Sequence, residues 1–214
     1  IFLSVQPLFP MKFKEWHYVS RLIVPLIRAP EGTPGSANIP SSVPGEDVQG
    51  LGDVNYSLFL SPVEEGPWEW GVGPSISLPT ATSDALGSGK WSAGPTAAVL
   101  RWQGGGGVGA MVRQLWSFTG EDDRSDVSQL LIQPFVGYKL QNGWSLMSMM
   151  QWTANWQAEA GNRWTIPVGG GVAKLFKMQG RAFNTRLEVY ANVIKPDGAP
   201  DWTLRYSFQL LFPK

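Results

Sequence analysis

The twelve residues from Asp201 to Phe212 alternate in character almost without a fault. Trp202, Leu204, Tyr206, Phe208, Leu210 and Phe212 fall on one parity; Asp201, Thr203, Arg205, Ser207 and Gln209 fall on the other, with Leu211 its one apolar member. Successive side chains of a strand point to opposite faces, so this is a strand with one apolar and one polar face. An apolar face with an indole at one end and a phenyl ring at the other is what a bilayer-spanning strand presents to lipid. The question is whether the rest of the chain repeats it.

It does. With 25 Gly and 17 Pro in 214 residues, long helices have little room. Period-two segments recur at 1–9, 16–29, 50–61, 68–79, 91–102, 107–118, 128–140, 143–155, 162–175, 182–193 and 201–212. Most have the ~9–11 residues that a tilted bilayer-crossing strand needs, against a mode of ~5–6 in soluble proteins. In 182–193, Phe183, Thr185, Leu187, Val189, Ala191 and Val193 face out, opposite Asn184, Arg186, Glu188, Tyr190 and Asn192. In 68–79, Trp68, Trp70, Val72, Pro74, Ile76 and Leu78 face out, opposite Glu69, Gly71, Gly73, Ser75 and Ser77. Links between segments alternate between short and long, the pattern of periplasmic turns and external loops.

The reading is an all-β, transmembrane, antiparallel up-and-down β-barrel in one domain, 1–214, lodged in a bilayer of lipopolysaccharide and phospholipid. Eleven strands are visible. Bacterial barrels have an even number, so a twelfth is expected before Ile1. Mean hydropathy is −0.10, which fits a barrel because half of each strand is polar. Indoles collect near strand ends as an aromatic girdle: Trp68, Trp70, Trp102 and Trp144 with Phe212 at or near the periplasmic side, Trp91, Trp116, Trp152, Trp164 and Trp202 at the external side. The alternative is a soluble sandwich or lipocalin-like barrel with many core tryptophans.

Chemistry-bearing motifs are few. A net charge of zero gives no electrostatic case for nucleic acid. The absence of Cys removes disulfides, thiol catalysis and zinc–thiolate sites. The run Gly104-Gly105-Gly106-Gly107-Val108-Gly109 lies between two strands, where it reads as a turn and not as a phosphate cradle, which needs a following helix. Glu121, Asp122, Asp123 and Asp126 offer oxygen ligands to calcium, without EF-hand spacing; the plainer reading is a solvated loop. His17, the lone histidine, is the one candidate base for a lipid hydrolase on a barrel, beside a structural reading. No cofactor is expected. The inward charges Asp53, Arg101, Arg113, Arg163, Arg186, Glu188 and Arg205 can set the selectivity of a pore, or pair and plug it. Met147, Met149 and Phe135, also placed inward, make part of the lumen apolar.

Several stretches also resemble a known family. They are Trp68-Glu69-Trp70-Gly71-Val72-Gly73-Pro74, Leu78-Pro79-Thr80-Ala81-Thr82, Lys90-Trp91-Ser92-Ala93-Gly94-Pro95-Thr96 and Trp116-Ser117-Phe118-Thr119-Gly120-Glu121-Asp122-Asp123-Arg124. Trp164-Thr165-Ile166-Pro167-Val168, Gly198-Ala199-Pro200-Asp201-Trp202 and Leu211-Phe212-Pro213-Lys214 complete the set. The family is the bacterial outer-membrane group labelled "putative MetA-pathway of phenol degradation". The resemblance implies a barrel of about twelve strands, with one more before the segment matching Ile1–Pro10. It also implies a porin-like channel for small hydrophobic or aromatic solutes, and no catalytic residue is carried over from it. The Pro34–Ser42 loop has no counterpart in it. A last strand ending in Phe212 resembles the signal read by the barrel-assembly machinery, with Pro213-Lys214 as a departure.

Overall fold

The computed structural model describes residues 2–29, 47–63 and 66–211. The Pro34–Ser42 loop and Phe212 lie outside them. The described chain forms one antiparallel sheet: β1 (Phe2–Val5), β2 (Leu8–Phe13), β3 (Trp16–Ala29), β4 (Val48–Leu51), β5 (Val54–Pro62), β6 (Glu69–Leu78), β7 (Lys90–Gln103), β8 (Gly106–Gly120), β9 (Ser128–Lys139), β10 (Trp144–Met149), β11 (Trp152–Asn155), β12 (Trp164–Met178), β13 (Arg181–Ile194) and β14 (Trp202–Leu211). Among the described residues three single-turn 3₁₀ segments lie in the connections.

These strands make eleven crossings of the sheet, because three crossings are each broken once. β1 and β2 both pair with β3, β4 and β5 both pair with β3, and β10 and β11 both lie between β9 and β12. Each break sits at a proline, which has no N–H to give a ladder. Pro7 separates β1 from β2. The Gly52-Asp53 step between β4 and β5 lies beside Pro25, whose carbonyl accepts the Gly52 N–H at 3.0 Å. Met150-Gln151 lie where the register passes Gln133-Pro134. The eleven crossings follow the segments expected from alternation. The main difference is the first, which runs on past residue 9 to Phe13. Pro10 is tolerated there because β2 is an edge strand.

Each crossing pairs with the next in sequence, an up-and-down order. Short turns collect at one end: Lys14-Glu15, Gly104-Gly105 and Gln179-Gly180 among them, with Lys14 and Gln179 held at φ 53° and 51°. The longer loops, such as Pro79–Gly89 and Glu121–Val127, collect at the other end. The sheet curls on itself: Phe2 of the first crossing and Gln129 of the seventh line one cavity, and Arg21 of the second reaches Met111 of the sixth. With eleven crossings the first and last run in the same direction, and no ladder joins them among the described residues.

The convex face is apolar and exposed. Val72, Val99, Val112, Val136, Val168, Val172, Leu187, Val189, Leu204 and Phe208 all stand on it, each more than one third exposed. Soluble monomers rarely show contiguous apolar patches beyond a few hundred Å². The concave face carries the polar set. Among the described residues a cluster of buried apolar side chains, Ile27, Ala29 and Leu86, sits at the long-loop end and ties loop Pro79–Gly89 to the wall. No helix is long and apolar enough to cross a membrane among the described residues.

Candidate functional site: the concave face

The concave face has a polar half and an apolar half. Toward the long loops, Asn55, Ser57 and Ser75 are buried together. Asn55 Nδ2 donates to Ser75 Oγ at 3.1 Å and to Ile76 O at 2.9 Å, and the two serine hydroxyls stand 2.8 Å apart. Arg113 reaches across from β8 and donates from Nη1 to Asn55 Oδ1 at 2.6 Å. Asn55 and Arg113, with Phe2, Ile23 and Leu86, line a cavity of about 110 Å³. The small inward serines leave room for the guanidinium, and Asn55 supplies an oxygen for it without a charge.

Toward the short turns the lining changes. Leu100, Trp102, Met111, Phe135 and Met149 line a second, open cavity of about 230 Å³, with Gln133 as its polar side chain. Trp102 and Phe135 meet at 5.6 Å between ring centroids. Gly107 and Gly137 make space for the indole, since a Cβ on Gly107 would fall 2.6 Å from it.

Guanidinium groups edge this chamber. Arg21 Nη1 contacts Met111 Sδ at 3.2 Å, and its Nη2 donates to Gln6 Oε1 at 2.9 Å. On the other wall Arg186 Nη1 contacts Met149 Sδ at 3.5 Å. Arg205 donates to Met149 O at 2.7 Å and Gln151 Oε1 at 3.1 Å, and lies 5.0 Å over the Tyr190 ring. Lys139 Nζ stands 4.9 Å over Trp102. Glu188, 1% exposed, accepts the Tyr190 hydroxyl at 2.6 Å. Tyr190 in turn accepts the Met149 N–H at 2.9 Å. Arg186 Nε and Glu188 Oε2 are buried without a partner among the described residues.

The sequence-derived inward set divides. Arg113, Arg186, Glu188 and Arg205 lie on the concave face. Asp53 does too, but at the long-loop rim, where its carboxylate accepts the Ser88 N–H and Oγ–H, both at 2.7 Å, and the Ala81 N–H at 3.3 Å. It anchors a loop. Arg101 is corrected: the register sets Trp70 against Val99 and Glu69 against Leu100, so Arg101 shares the convex face with Val99. Two residues from the end of β7 it can reach past the margin of the apolar band, and its guanidinium sits 5.4 Å over Trp68. Arg163 is also corrected. It precedes β12 in the long-loop region, exposed, with Nε donating to Ala158 O at 2.9 Å. Met147, Met149 and Phe135 face inward, in register with Gly137 and each other.

Pairing of the inward charges into a plug does not occur as ion pairs. Among the described residues the three ion pairs are Arg28–Asp47, Lys90–Asp126 and Lys195–Asp201, all at the long-loop end. Arg21, Met111 and Trp102 join the concave face beyond the residues that alternation places there.

On the convex face Trp68, Trp70 and Trp144 stand at or near the short-turn end, and Trp91, Trp116 and Trp202 at the other, all exposed. Trp152 and Trp164 are half-buried. Trp152 Nε1 donates to Pro167 O at 3.2 Å, and Trp164 meets Trp156 edge-on at 5.6 Å. Trp102, which the sequence places with the girdle, turns inward instead. The carboxylates of Glu121, Asp122, Asp123 and Asp126 do not converge, and no metal-holding cluster occurs among the described residues. Their loop acts as a clamp: Arg124 Nη2 donates to Asp84 O and Gly87 O, each at 2.6 Å. His17 stands in register with Lys12 and Ser61, near the short turns.

An up-and-down antiparallel sheet with an apolar convex face and a charged, partly aromatic concave face defines a barrel-type protein compatible with an outer membrane. The model of the family described as "Putative MetA-pathway of phenol degradation" matches residues 8–212, and the chain belongs to that family. No curated protein matches the chain.

Proposed function

We propose that the chain is an outer-membrane channel through which small hydrophobic or aromatic solutes diffuse passively. One observation carries this reading: the same strands that expose valine, leucine and aromatic side chains outward enclose, on their inner side, cavities lined by fixed polar and aromatic groups. A protein in water has no use for the first, and a purely structural wall has no use for the second. Lipid would cover the convex band, and the indoles at its two margins would sit at headgroup level. The family's association with phenol degradation supports an aromatic cargo. The mechanism needs no covalent step. The chain would reach its membrane through the barrel-assembly machinery.

Planar-bilayer recording on the purified chain tests the proposal, together with fractionation of cells into inner and outer membranes. Stepwise conductance and recovery in the outer-membrane fraction are expected. Silent bilayers together with no solute entry into liposomes would overturn it.

A second reading has its own support. Leu86, 0% exposed, packs loop Pro79–Gly89 against Ile27 and Ala29 at the mouth, and Arg113 spans the lumen to Asn55. A barrel closed by these contacts would be a non-conducting structural or sensor element. Bilayers silent for the intact chain but conducting after deletion of residues 81–88 would favour a plug.

A further inference from the structure

We propose that the lumen is built for small aromatic anions, carboxylates or phenolates on a single ring, bound with the ring in the Trp102–Phe135 chamber and the charge on the guanidiniums beside it. This names the cargo class of the channel reading above and rests on it.

The first ground is charge. Arg21, Arg113, Arg186 and Arg205 project from four strands onto one concave face, and their partners are neutral: Gln6 and Met111, Asn55, Met149, and Gln151 with the Met149 carbonyl. Three carboxylates oppose them, of which Glu69 lies at the short-turn end in register with Leu100. Asp53 is engaged by three donors of the rim loop, and Glu188 by Tyr190. A narrow low-dielectric passage with uncompensated positive charge concentrates anions and repels cations.

The second ground is that the charge and the apolar space are joined. The sulfur that Arg21 contacts and the sulfur that Arg186 contacts both line the 230 Å³ chamber. An apolar cavity of ~150 Å³ takes up benzene, so the chamber has room for a ring with a substituent. Indole, phenyl and thioether walls suit a π-face. The third ground is an unused donor. Arg186 Nε is buried without a partner among the described residues. A guanidinium edge offering Nε and Nη binds a carboxylate through two parallel hydrogen bonds. A neutral hydrocarbon would leave that donor unpaired. Lys139, above Trp102, adds a positive charge at the short-turn mouth.

The test uses the chain in detergent and in planar bilayers, with benzoate, benzyl alcohol and benzylammonium as probes. Calorimetry should show benzoate binding at least tenfold tighter than benzyl alcohol, with none for benzylammonium. Reversal potentials should give a benzoate permeability at least tenfold above that of benzylammonium. The double variant Arg186→Gln/Arg205→Gln should abolish both preferences, and Arg101→Gln, on the outer face, should leave them intact. Arg21→Gln, acting from the opposite wall, serves as the second variant should the double one fail to fold. Equal passage of benzoate and benzylammonium with no benzoate binding overturns the proposal while the channel stands. Arginine-dependent benzoate binding in a chain that never conducts overturns the channel and leaves the site.

Discussion

Replacing Asp53 by Ala should loosen the loop over the mouth without unfolding the sheet. The carboxylate holds Ser88 through its N–H and its hydroxyl, both at 2.7 Å, and Ala81 through a weaker contact at 3.3 Å. A hydrogen bond to an ionised acceptor contributes ~1.5–3 kcal/mol. Two strong bonds would set an upper bound near ~6 kcal/mol on that scale, but water replaces part of this at a half-exposed rim, leaving ~2–3 kcal/mol. Each ~1.4 kcal/mol is a tenfold change in an equilibrium constant, so local opening of the loop should become roughly 30- to 160-fold more frequent. Other anchors stay: Thr82 Oγ1 accepts Leu51 N–H at 3.0 Å, Thr80 Oγ1 accepts Val54 N–H at 2.9 Å, and Arg124 holds two loop carbonyls. Hydrogen exchange followed by mass spectrometry should therefore quicken in peptides covering 80–89 and stay unchanged in those covering β12 and β13. Asp53→Asn, which keeps one acceptor oxygen, should fall between. Unchanged exchange at 80–89 in Asp53→Ala would refute the anchoring argument, and loss of protection throughout the sheet would show that Asp53 supports the wall itself.

Two further substitutions test the wall. A Cβ on Gly171 would lie 1.9 Å from Leu187 O and 2.7 Å from Glu188 Cα, so Gly171→Val must part β12 from β13 and abolish the folded band in unheated electrophoresis. Gly104→Ala faces open space and has only its φ of +57° against it, a cost of ~1–2 kcal/mol that leaves the fold intact; equal behaviour of the two would contradict the close packing. Val189→Arg, at mid-strand on the convex face and 52% exposed, should lose ~2–4 kcal/mol in urea titrations in phospholipid vesicles, and Val193→Arg nearer the loops only ~0–1. Equal losses would count against a membrane around this face.

The residues that the sequence misplaced share a physical cause. Alternation is legible where the two faces differ in polarity, as in β13 and β14, and there the inward residues were identified in full. In β3 the contrast fails: Val19 and Ile23 face in while Leu22 and Val24 face out, so Arg21 had no polar row to belong to. The inward side is apolar farther along the same strand because Leu86, from a loop some sixty residues on, packs against Ile27 and Ala29. Arg101 has no clear face in the sequence because Ala97 and Ala98 are alike on both parities, and a register shift at Trp91/Ser92 interrupts the count from the other end. Trp102 looked interfacial because an indole at a strand end fits a girdle; the glycines opposite it in β8 and β9 decide otherwise, by leaving room inside. A single strand carries the information about which residues share a face. Which of those faces meet, and whether a charge among them finds a partner, is carried by pairs of strands. The arginine and methionine contacts of the chamber join crossings four or more steps apart for Arg21 and two or more for Arg186 and Arg205, so their selectivity role has no signature in any one segment.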